Sequence, residues 1–438
     1  MEYKRLVVDN FRCFEHFEID FARDVSIIIG KNGAGKTSLI KSIVYSLYFM
    51  FTSDRSSGND FLAAGNPDLT MKSPDFSEFY RNSTADKIGD VNLHGELELN
   101  GEILNWDMFR RSTPNSSLYP SKYKTAYQQF MALYRNNGQL PLVAYFSDSF
   151  PHRQTNISSF AKEEMRKGEQ TLRNFGYYQW DNETACTTIW EQRLTNALIK
   201  DKMLDETNEF NHTEVKYVVN KLREFSRPIH ADCDDSFEIS RVFVSFNENE
   251  ERELWLRLKE GKEVRFGALP AGYRRLYSMV LDLSYRTFLL NRSDSIMSCG
   301  LVLIDEIDLH LHPSLAIEVV ERFTRLFPHV QYVMTSHSPL VVTNLPHKDG
   351  DNKILRLVSG EQEPHVLPDV YGIDYDAAIR DIMEVNDNNA INFLRSSILR
   401  AMRNGDNQLL EMRKKELRRY VSNIRYEQIV TEMEQSLR

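Results

Sequence analysis

Alternating apolar and polar positions predict strands in the first part of the chain. Residues 4–9 and 16–21 predict two short strands, and residues 91–99 with 101–110 predict a hairpin. Between them, residues 51–88 are rich in Ser, Asn, Asp, Gly and Pro without a sustained period, which predicts a long surface excursion. The N-terminal lobe is therefore expected to contain a mixed sheet.

Four apolar runs lack this alternation, which indicates strands that are buried on both faces of a sheet. Each run leads into polar or charged residues, and the carboxyl edge of a parallel sheet is where such residues meet a ligand. The runs lie at residues 27–29, 140–146, 301–304 and 332–334.

Helical periodicity dominates other parts of the chain. Residues 158–225 have apolar positions at helical spacing but no heptad pattern long enough for an extended coiled coil, so we predict a compact helical insertion. Its aromatic cluster at residues 175–180 is interpreted as core rather than as a base-stacking platform. An alternating hairpin at residues 240–246 and 253–258 precedes a predicted apolar helix at residues 276–290.

The loop after the first apolar run carries the strongest chemical signal. Residues 30–37 read GKNGAGKT, a complete GxxxxGK[ST] between a predicted strand and a predicted helix. Glycines let the backbone wrap closely round a polyphosphate, and the loop amides with the helix N-terminus supply positive potential. Lys36 would reach the β- and γ-phosphates, and the Thr37 hydroxyl would bind Mg²⁺. The residues assigned to nucleotide binding here are Gly30, Asn32, Gly33, Gly35, Lys36, Thr37 and Ser38.

Two of the other apolar runs end in residues that suit the same site. The run LVLIDE ends in two acids, of which Asp305 would hold Mg²⁺ through water and Glu306 would polarise the attacking water. The run before TSHSP brings His337 to the same sheet edge. Together with the phosphate loop, these residues predict a site for ATP and Mg²⁺.

Composition and charge restrict the class of protein. The chain has 438 residues, and at about 150 residues per domain this suggests two or three lobes. Its net charge of −9 argues against a protein coated for nonspecific nucleic-acid binding. No apolar run approaches the roughly 20 residues of a membrane helix, and no signal peptide is evident, so a cytoplasmic protein without membrane contact is expected. The four cysteines show no metal-binding spacing, which fits reduced thiols.

Four segments, GKNGAGKT, LPAGYRR, LVLIDEIDLHLHP and VMTSHSP, together resemble the ABC-type ATPase heads of the RecF, SMC and OLD group. These segments resemble more closely the stand-alone bacterial ATPases of antiphage systems such as Septu, whose ATPase works beside a separate nuclease. The tail from residue 371 is similar to the C-terminal extension of that group, whereas the middle is similar only loosely. The resemblance implies an α/β fold: an ABC-type P-loop NTPase head with a mixed sheet, a helical insertion and a helical C-terminal extension.

This resemblance implies four domains. They are an N-terminal ATPase lobe with Walker A at residues 1–155, a helical insertion at 156–235, a C-terminal ATPase lobe at 236–370 and a helical extension at 371–438.

The resemblance also implies a role for each residue of the nucleotide site. Lys36 and Thr37 correspond to the Walker A pair, Asp305 and Glu306 to the Walker B pair, and His337 to the switch histidine that contacts the γ-phosphate. Thr37 and Asp305 are the expected metal ligands, and Glu306 and His337 the expected catalytic residues.

Other residues correspond to the dimer interface of such heads. Asp308 corresponds to a loop that crosses the interface, Gly272 to the signature glycine that meets the nucleotide of the partner subunit, and Arg153 to the region that senses the γ-phosphate. In the loop at residues 147–153 the nucleotide role and an ordinary surface loop are both open.

The signature departs from the family at one position. Ala271 stands where the family has a serine whose hydroxyl contacts the γ-phosphate across the dimer. Losing one charge-assisted hydrogen bond costs about 1.5–3 kcal/mol. We therefore hypothesise slow hydrolysis, with Arg274 or Arg275 as a substitute for the serine.

Two other motifs are interpreted as structural. His310 and His312 form an HxH, but the family has this run beside Walker B without a metal site. The basic run in residues 413–419 is interleaved with acids and is interpreted as a solvated helix face; if functional, it would touch a partner or nucleic acid.

Two functions remain open at this point. In the first, the protein is an antiphage ATPase that forms a head-to-head dimer or higher oligomer and controls a separate nuclease or toxin, with nucleic acid reached directly or through that partner. In the second, it is a RecF-like ATPase of DNA repair or maintenance that binds duplex DNA itself. The net charge and the helical C-terminal extension favour the first.

Overall fold

A computed structural model of the protein describes residues 1–51, 89–113, 118–151, 157–181, 187–204, 213–230, 236–348, 350–383 and 390–435. These residues form two compact units, Met1–Ile373 and Asp374–Arg438. The predicted surface excursion lies outside the described stretches except for Phe51. The predicted division into four domains stays a prediction.

Strands and helices are both present throughout the first unit, whereas the second unit is helical. The strands are β1 (Glu2–Phe11), β2 (Phe14–Asp20), β3 (Val25–Gly30), β4 (Val91–Leu99), β5 (Glu102–Arg110), β6 (Leu142–Phe146), β7 (Ile239–Phe246), β8 (Arg252–Leu258), β9 (Glu263–Arg265), β10 (Gly300–Ile304), β11 (Val330–Thr335), β12 (Asn352–Leu357) and β13 (His365–Val366). The helices are α1 (Lys36–Ser46), α2 (Lys124–Asn137), α3 (Ser159–Arg166), α4 (Thr187–Leu204), α5 (Thr213–Ser226), α6 (Ala271–Asn291), α7 (Pro313–Leu326), α8 (Pro339–Thr343), α9 (Tyr375–Ala377), α10 (Ala390–Asn404), α11 (Asn407–Leu417) and α12 (Asn423–Gln435). None of the helices in the described stretches is long and apolar enough to cross a bilayer.

The first sheet is antiparallel, with strand order β2-β1-β4-β5. It confirms the two short N-terminal strands and the hairpin that alternation predicted, because β1 pairs with β2 and β4 pairs with β5. In β4 every second residue is buried, so one face of the strand points to the core and the other is partly exposed.

The central sheet has the order β13-β12-β3-β11-β10-β6. Its strands are parallel except for β13, which runs antiparallel to β12. Every residue of β6, β10 and β11 is buried, which confirms the strands predicted from continuous apolar runs. Because the parallel strands share one direction, their carboxyl ends lie at the same edge.

Helix α1 lies between these two sheets and contacts strands of both. Its apolar side chains at helical spacing, including Leu39, Ile40 and Ile43, are fully buried. The Trp106 indole of β5 donates a 2.8 Å hydrogen bond to the carbonyl of Ser46 at the last turn of α1. The start of α1, directly after the phosphate loop, is thereby held by packing along the whole helix.

Helix α6 is the central helix of the first unit, and its residues from Arg275 to Asn291 are all buried. The predicted start at residue 276 was wrong, since the helix begins at Ala271. The apolar pattern begins only after the first turn, because that turn contains Gly272 and two arginines. Tertiary packing, described below for Gly272, compensates for the low helix propensity of this turn.

In the predicted helical insertion, α4 and α5 pack against α6, and α3 packs against α4. Its aromatic cluster is core, as predicted: Phe175, Tyr177, Tyr178 and Trp180 are 0, 1, 2 and 4% exposed. After the insertion, β7 and β8 form the predicted antiparallel hairpin, which β9 extends.

The second unit contains α9 to α12, with a π-helical turn at Ala378–Ile382. Helices α10, α11 and α12 share a small apolar core. Its buried members are Leu394, Ile398, Leu417, Tyr426, Ile429, Val430 and Met433.

Candidate nucleotide site

The carboxyl ends of adjacent parallel strands bring the predicted site residues together. Strand β3 ends at Gly30, where the phosphate loop begins. Strand β10 ends one residue before Asp305, and β11 ends two residues before His337. Because β11 lies between β3 and β10, the loop, the histidine and the acids share one edge of the central sheet.

The phosphate loop has a conformation that requires glycine immediately before α1. Gly35 has φ 101°, in the left-handed region. A Cβ on Gly35 would lie 2.8 Å from both Cys13 Sγ and Phe14 Cζ. The turn between β1 and β2 therefore packs against the loop, a contact that joins residues far apart in sequence and that sequence reasoning missed.

Lys36 is positioned inside the loop. Its Nζ donates hydrogen bonds to the carbonyls of Gly30 at 2.8 Å and Lys31 at 3.2 Å, and the residue is 8% exposed. Burial lowers the pKa of Lys36, and the nearby carboxylates, Asp305 first among them, partly offset this effect. The cation and the Walker B acids are therefore close enough to interact.

The other loop residues remain accessible. Asn32, Gly33 and Thr37 are exposed, and Gly30 and Ser38 are half-buried. Thr37 lies in the first turn of α1, whose backbone N–H groups have no partner within the helix. The exposed hydroxyl and the free end of the helix form a surface that suits a phosphate group.

Thr335, the last residue of β11, connects the two Walker B acids. Its hydroxyl donates to Asp305 Oδ1 at 2.5 Å and accepts from the backbone N–H of Glu306 at 2.7 Å. Asp305 is 2% exposed, so its orientation is set by this bond. Sequence reasoning missed Thr335 because a threonine at the end of an apolar strand is an ordinary strand residue.

Glu306 has a strained backbone. Its φ of 51° places a non-glycine residue in the left-handed region, and its side chain is only half-buried. Such conformations are retained where the surrounding structure holds them, often at functional sites. Here the hydrogen bond from the Glu306 N–H to Thr335 and the bond from the Ile307 N–H to the Thr335 carbonyl at 3.0 Å hold it.

Asp308 fixes the segment that carries His337. Its Oδ1 accepts from Ser336 Oγ at 2.7 Å and from the backbone N–H of His337 at 3.1 Å. Ser336 is fully buried, whereas His337 is exposed at the edge of the site. The predicted interface residue thus holds the predicted switch histidine within the same chain.

Gly272 packs against the loop that follows Walker B. A Cβ on Gly272 would lie 2.5 Å from the carbonyl oxygen of His310. The first turn of α6 therefore approaches that loop closely, and this contact alone requires glycine. Ala271 beside it is exposed.

The two arginines considered as substitutes for the signature serine differ. Arg275 is 1% exposed and donates from Nη2 to the carbonyls of Asp305 at 2.7 Å and Ser147 at 3.2 Å. Burial lowers the pKa of Arg275 to about 10. Because Arg275 is enclosed between β6 and β10 of its own chain, the hypothesis that it reaches a second subunit was wrong. Arg274 is half-buried and stays a candidate.

Comparison with known proteins identifies the family. A family model described as AAA domain, AAA_23, matches residues 5–264. The chain is a member of this AAA domain family. The chain is 23% identical over 365 residues to the retron Vc95 probable ATPase of Vibrio cholerae, covering 74% of the chain and 67% of the relative.

For other relatives, the matched share of this chain differs widely from the matched share of the relative. The chain is 35% identical over 386 residues to the Septu protein PtuA of Bacillus mycoides, covering 86% of the chain but 44% of that protein. It is 36% identical over 66 residues to the Rad50 ATPase of Saccharolobus solfataricus, covering 15% of the chain and 7% of the relative. The SMC head domain from Thermotoga maritima matches 84% of the chain and 99% of that domain at 13% identity, with a TM-score of 0.41. This AAA-domain protein is similar to ATPases of the Rad50 and RecF type over short stretches, and it has relatives in Septu and retron systems.

The oxygen atoms at the site of this AAA-domain protein fit Mg²⁺. The Thr37 hydroxyl and the Asp305 carboxylate are hard oxygen donors of the kind that Mg²⁺ prefers. Thr335 occupies Oδ1 of Asp305, and no protein hydrogen bond to Oδ2 is present within the described residues. Thr37 and Asp305 would therefore hold the metal, which would neutralise charge on the phosphates.

The remaining candidate residues for the site are His312, Arg153 and Asp148. His312 caps helix α7, because its Nδ1 accepts from the backbone N–H of Ser314 at 3.4 Å. Arg153, expected near the γ-phosphate, lies outside the residues that the structure describes. Asp148, from the same predicted loop, is exposed, and its negative charge partly offsets the lowering of the pKa of Arg275.

Proposed function

We propose that this protein binds ATP with Mg²⁺, hydrolyses it slowly, and uses ATP-dependent head-to-head dimerisation to control a separate nuclease or toxin in bacterial antiphage defence. One observation carries the proposal: the phosphate loop, the Asp305–Thr335–Glu306 hydrogen-bonded group and His337 lie on neighbouring strand ends. Relatives in Septu and retron systems support the defence role.

Each residue of the site would have its own role in binding and hydrolysing ATP. The loop amides and Lys36 hold the β- and γ-phosphates, and Glu306 orients a water for in-line attack on the γ-phosphate. Thr335 keeps Asp305 and Glu306 in fixed relative positions, so that little reorganisation is needed during the reaction. His337 contacts the γ-phosphate, and Asp308 sets its position through the backbone.

Dimerisation would place Gly272 and Ala271 of one subunit against the nucleotide of the other. The exposed position of Ala271 at the start of α6 supports this arrangement. Since alanine supplies no hydroxyl, we expect turnover to be slow and Ala271→Ser to increase it several-fold. An Ala271→Ser protein with unchanged ATP affinity and unchanged turnover would argue against the arrangement.

The alternative function is a DNA-maintenance ATPase that binds duplex DNA itself. Local matches to Rad50 and RecF proteins favour it. The two functions differ in what stimulates turnover. An ATPase rate that rises when duplex DNA alone is added to the isolated protein supports the alternative.

The deciding experiment uses Glu306→Gln, which removes the catalytic carboxylate and should trap bound ATP. The tagged variant is expressed with its native neighbouring genes and purified in ATP, and its companions are identified by mass spectrometry and nucleic-acid staining. Lys36→Ala, which should abolish nucleotide binding, and Glu260→Gln, an exposed glutamate away from the site, are the controls.

The proposal predicts a stoichiometric nuclease or toxin with Glu306→Gln that is altered or lost with Lys36→Ala. Glu260→Gln should behave as the unmodified protein. Recovery of DNA alone, without a protein partner, would reject the defence role in favour of the alternative.

A further inference from the structure

Basic side chains are concentrated in one stretch of the second compact unit, although the unit as a whole has eleven Lys and Arg and eleven Asp and Glu. Residues 390–425 contain nine Lys and Arg and three Asp and Glu, a net charge of +6 in a chain whose total is −9. This stretch forms α10, α11 and the start of α12. The rest of the chain is therefore strongly acidic, and this part has the opposite sign.

Three acids near these cations already have partners. Asp406 caps α11 and accepts a backbone hydrogen bond at 3.0 Å. Glu416 binds Arg413 at 2.6 Å, and Glu432 of α12 binds Arg395 at 3.0 Å. Six cations have no carboxylate partner among the described residues: Arg400, Arg403, Lys414, Lys415, Arg418 and Arg419.

Five of these six cations are exposed, and Lys414 is half-buried. On α10, Arg400 and Arg403 are exposed and three residues apart, so they share one face. At the end of α11, Lys415, Arg418 and Arg419 are exposed at spacings of three and four. A helix dipole accounts for cations in the last turn of a helix, but here they continue past α11 and along α10.

Exposed aromatic rings accompany the cations. Phe393 and Tyr420 are both 58% exposed. The guanidinium of Arg413 lies 5.3 Å from the ring centre of Phe393, next to Lys414 in sequence. Cations mixed with exposed aromatic rings are typical of surfaces that follow a phosphate backbone and stack on bases.

We propose that the exposed cations of α10 and α11, together with the turn after α11, bind the phosphate backbone of a nucleic acid. The unpaired cations would replace condensed counterions, and Phe393 and Tyr420 would contact bases wherever these are unstacked. The exposed rings favour a polynucleotide over an acidic protein. This binding is independent of the proposed ATP hydrolysis.

The test replaces three of the cations with Gln. The full chain carrying Lys414→Gln, Lys415→Gln and Arg419→Gln is compared with the unmodified protein by fluorescence anisotropy, using duplex DNA, single-stranded DNA and RNA of equal length. The salt concentration is varied from about 50 to about 200 mM. The three polymers distinguish the possible sources of the phosphate backbone.

We expect the unmodified protein to bind at least one polymer with an affinity that falls linearly on a log–log plot against salt. The slope is about −0.9 per neutralised phosphate for duplex DNA and about −0.7 for single strands. The triple variant should weaken binding by about 10- to 100-fold at low salt and reduce the slope by about 2 to 3.

Two further variants separate local contacts from general charge. Lys162→Gln, Lys216→Gln and Lys262→Gln remove the same charge from exposed lysines of the first unit and should leave the affinity unchanged. Lys414→Arg, Lys415→Arg and Arg419→Lys keep the charge and should keep the slope. ATP binding is measured on the same samples, so a failure of the proposed ATPase function is seen separately.

Three results would overturn the proposal. One is equal loss of affinity in the two Gln triples. Another is an unchanged salt slope in the variant that carries Lys414→Gln, Lys415→Gln and Arg419→Gln. The third is failure of the unmodified protein to bind any of the three polymers at low salt. This is also the result expected if the same lysines bind only an acidic protein.

Discussion

A single hydroxyl group sets the geometry of both Walker B acids. Thr335 donates to Asp305 and accepts from the backbone of Glu306, and it belongs to the neighbouring strand. In a buried position a group that loses its only partner costs about 1–3 kcal/mol. The acids are therefore oriented by a residue that takes no part in the reaction itself.

We expect Thr335→Val to reduce the rate of ATP hydrolysis by about 10- to 100-fold, since it removes one oriented hydrogen-bonding group. The free energy of unfolding should fall by about 1–3 kcal/mol because the Glu306 N–H loses its partner. Steady-state kinetics and urea denaturation measure the two effects. Thr335→Ser keeps the hydroxyl and should retain most of the rate. Equal rates in the Val and Ser variants would contradict the role of the hydroxyl.

The sequence predicted the acids, the histidine and the phosphate loop because each follows an apolar run with its own signature. Thr335 and the Cys13 turn could not be predicted in this way. Each acts through a contact that depends on strand order, and strand order is set by packing between segments far apart in the chain. The same applies to Gly272, whose need for glycine comes from the carbonyl of His310.

At the level of elements, α10, α11 and α12 depend on a small shared core. Seven buried residues form it. In so small a core each large side chain contributes a considerable part of the stability. The family resemblance led us to expect a helical extension here, but the pairing of its helices around this core was not readable from the sequence pattern.

Ile398→Ala should destabilise the second unit selectively. Ile398 is fully buried in the core of α10 to α12, and removing such a side chain typically costs about 2–5 kcal/mol. Hydrogen exchange should therefore increase in peptides from residues 390–435, while peptides from β3 and α1 stay protected. Phe393→Ala, at a position on α10 that is 58% exposed, is the control and should change protection little. Loss of protection in β3 and α1 would show that the two units unfold together.

For the whole molecule, buried tyrosines determine the response to alkaline pH. Burial raises the pKa of Tyr3, Tyr48, Tyr285 and Tyr332 above the usual value of 10.0. Above about pH 10 the unfolded chain loses these protons and the folded protein keeps them. The folded state then binds more protons, so stability falls as pH rises.

We expect a cooperative alkaline unfolding above about pH 10, with a loss of about 1.4 kcal/mol per pH unit for each buried tyrosine. Arg275, Lys36 and Lys221 have the opposite sign, since burial lowers their pKa values, that of Arg275 to about 10. Burial raises the pKa of Tyr217 as well, which adds to the effect of the four tyrosines.

Circular dichroism and tyrosinate absorbance, followed in one titration, should change together. Exposed tyrosines such as Tyr371 and Tyr420 should ionise first. Ionisation of all 20 tyrosines before any loss of helical signal would contradict this expectation.

Strand β3 lies between β11 and β12 in the central sheet, although it ends at Gly30 and the nearer of the two in sequence begins only at Val330. During synthesis on the ribosome, the strand that carries the phosphate loop therefore emerges long before its two neighbours exist. Until then the backbone N–H and C=O groups along both edges of this apolar strand have no partner in the sheet. Unpaired strands of this kind favour aggregation. A bound nucleotide would therefore stabilise the fold only late in translation, and we expect a nascent chain that stops before β11 to depend on chaperones.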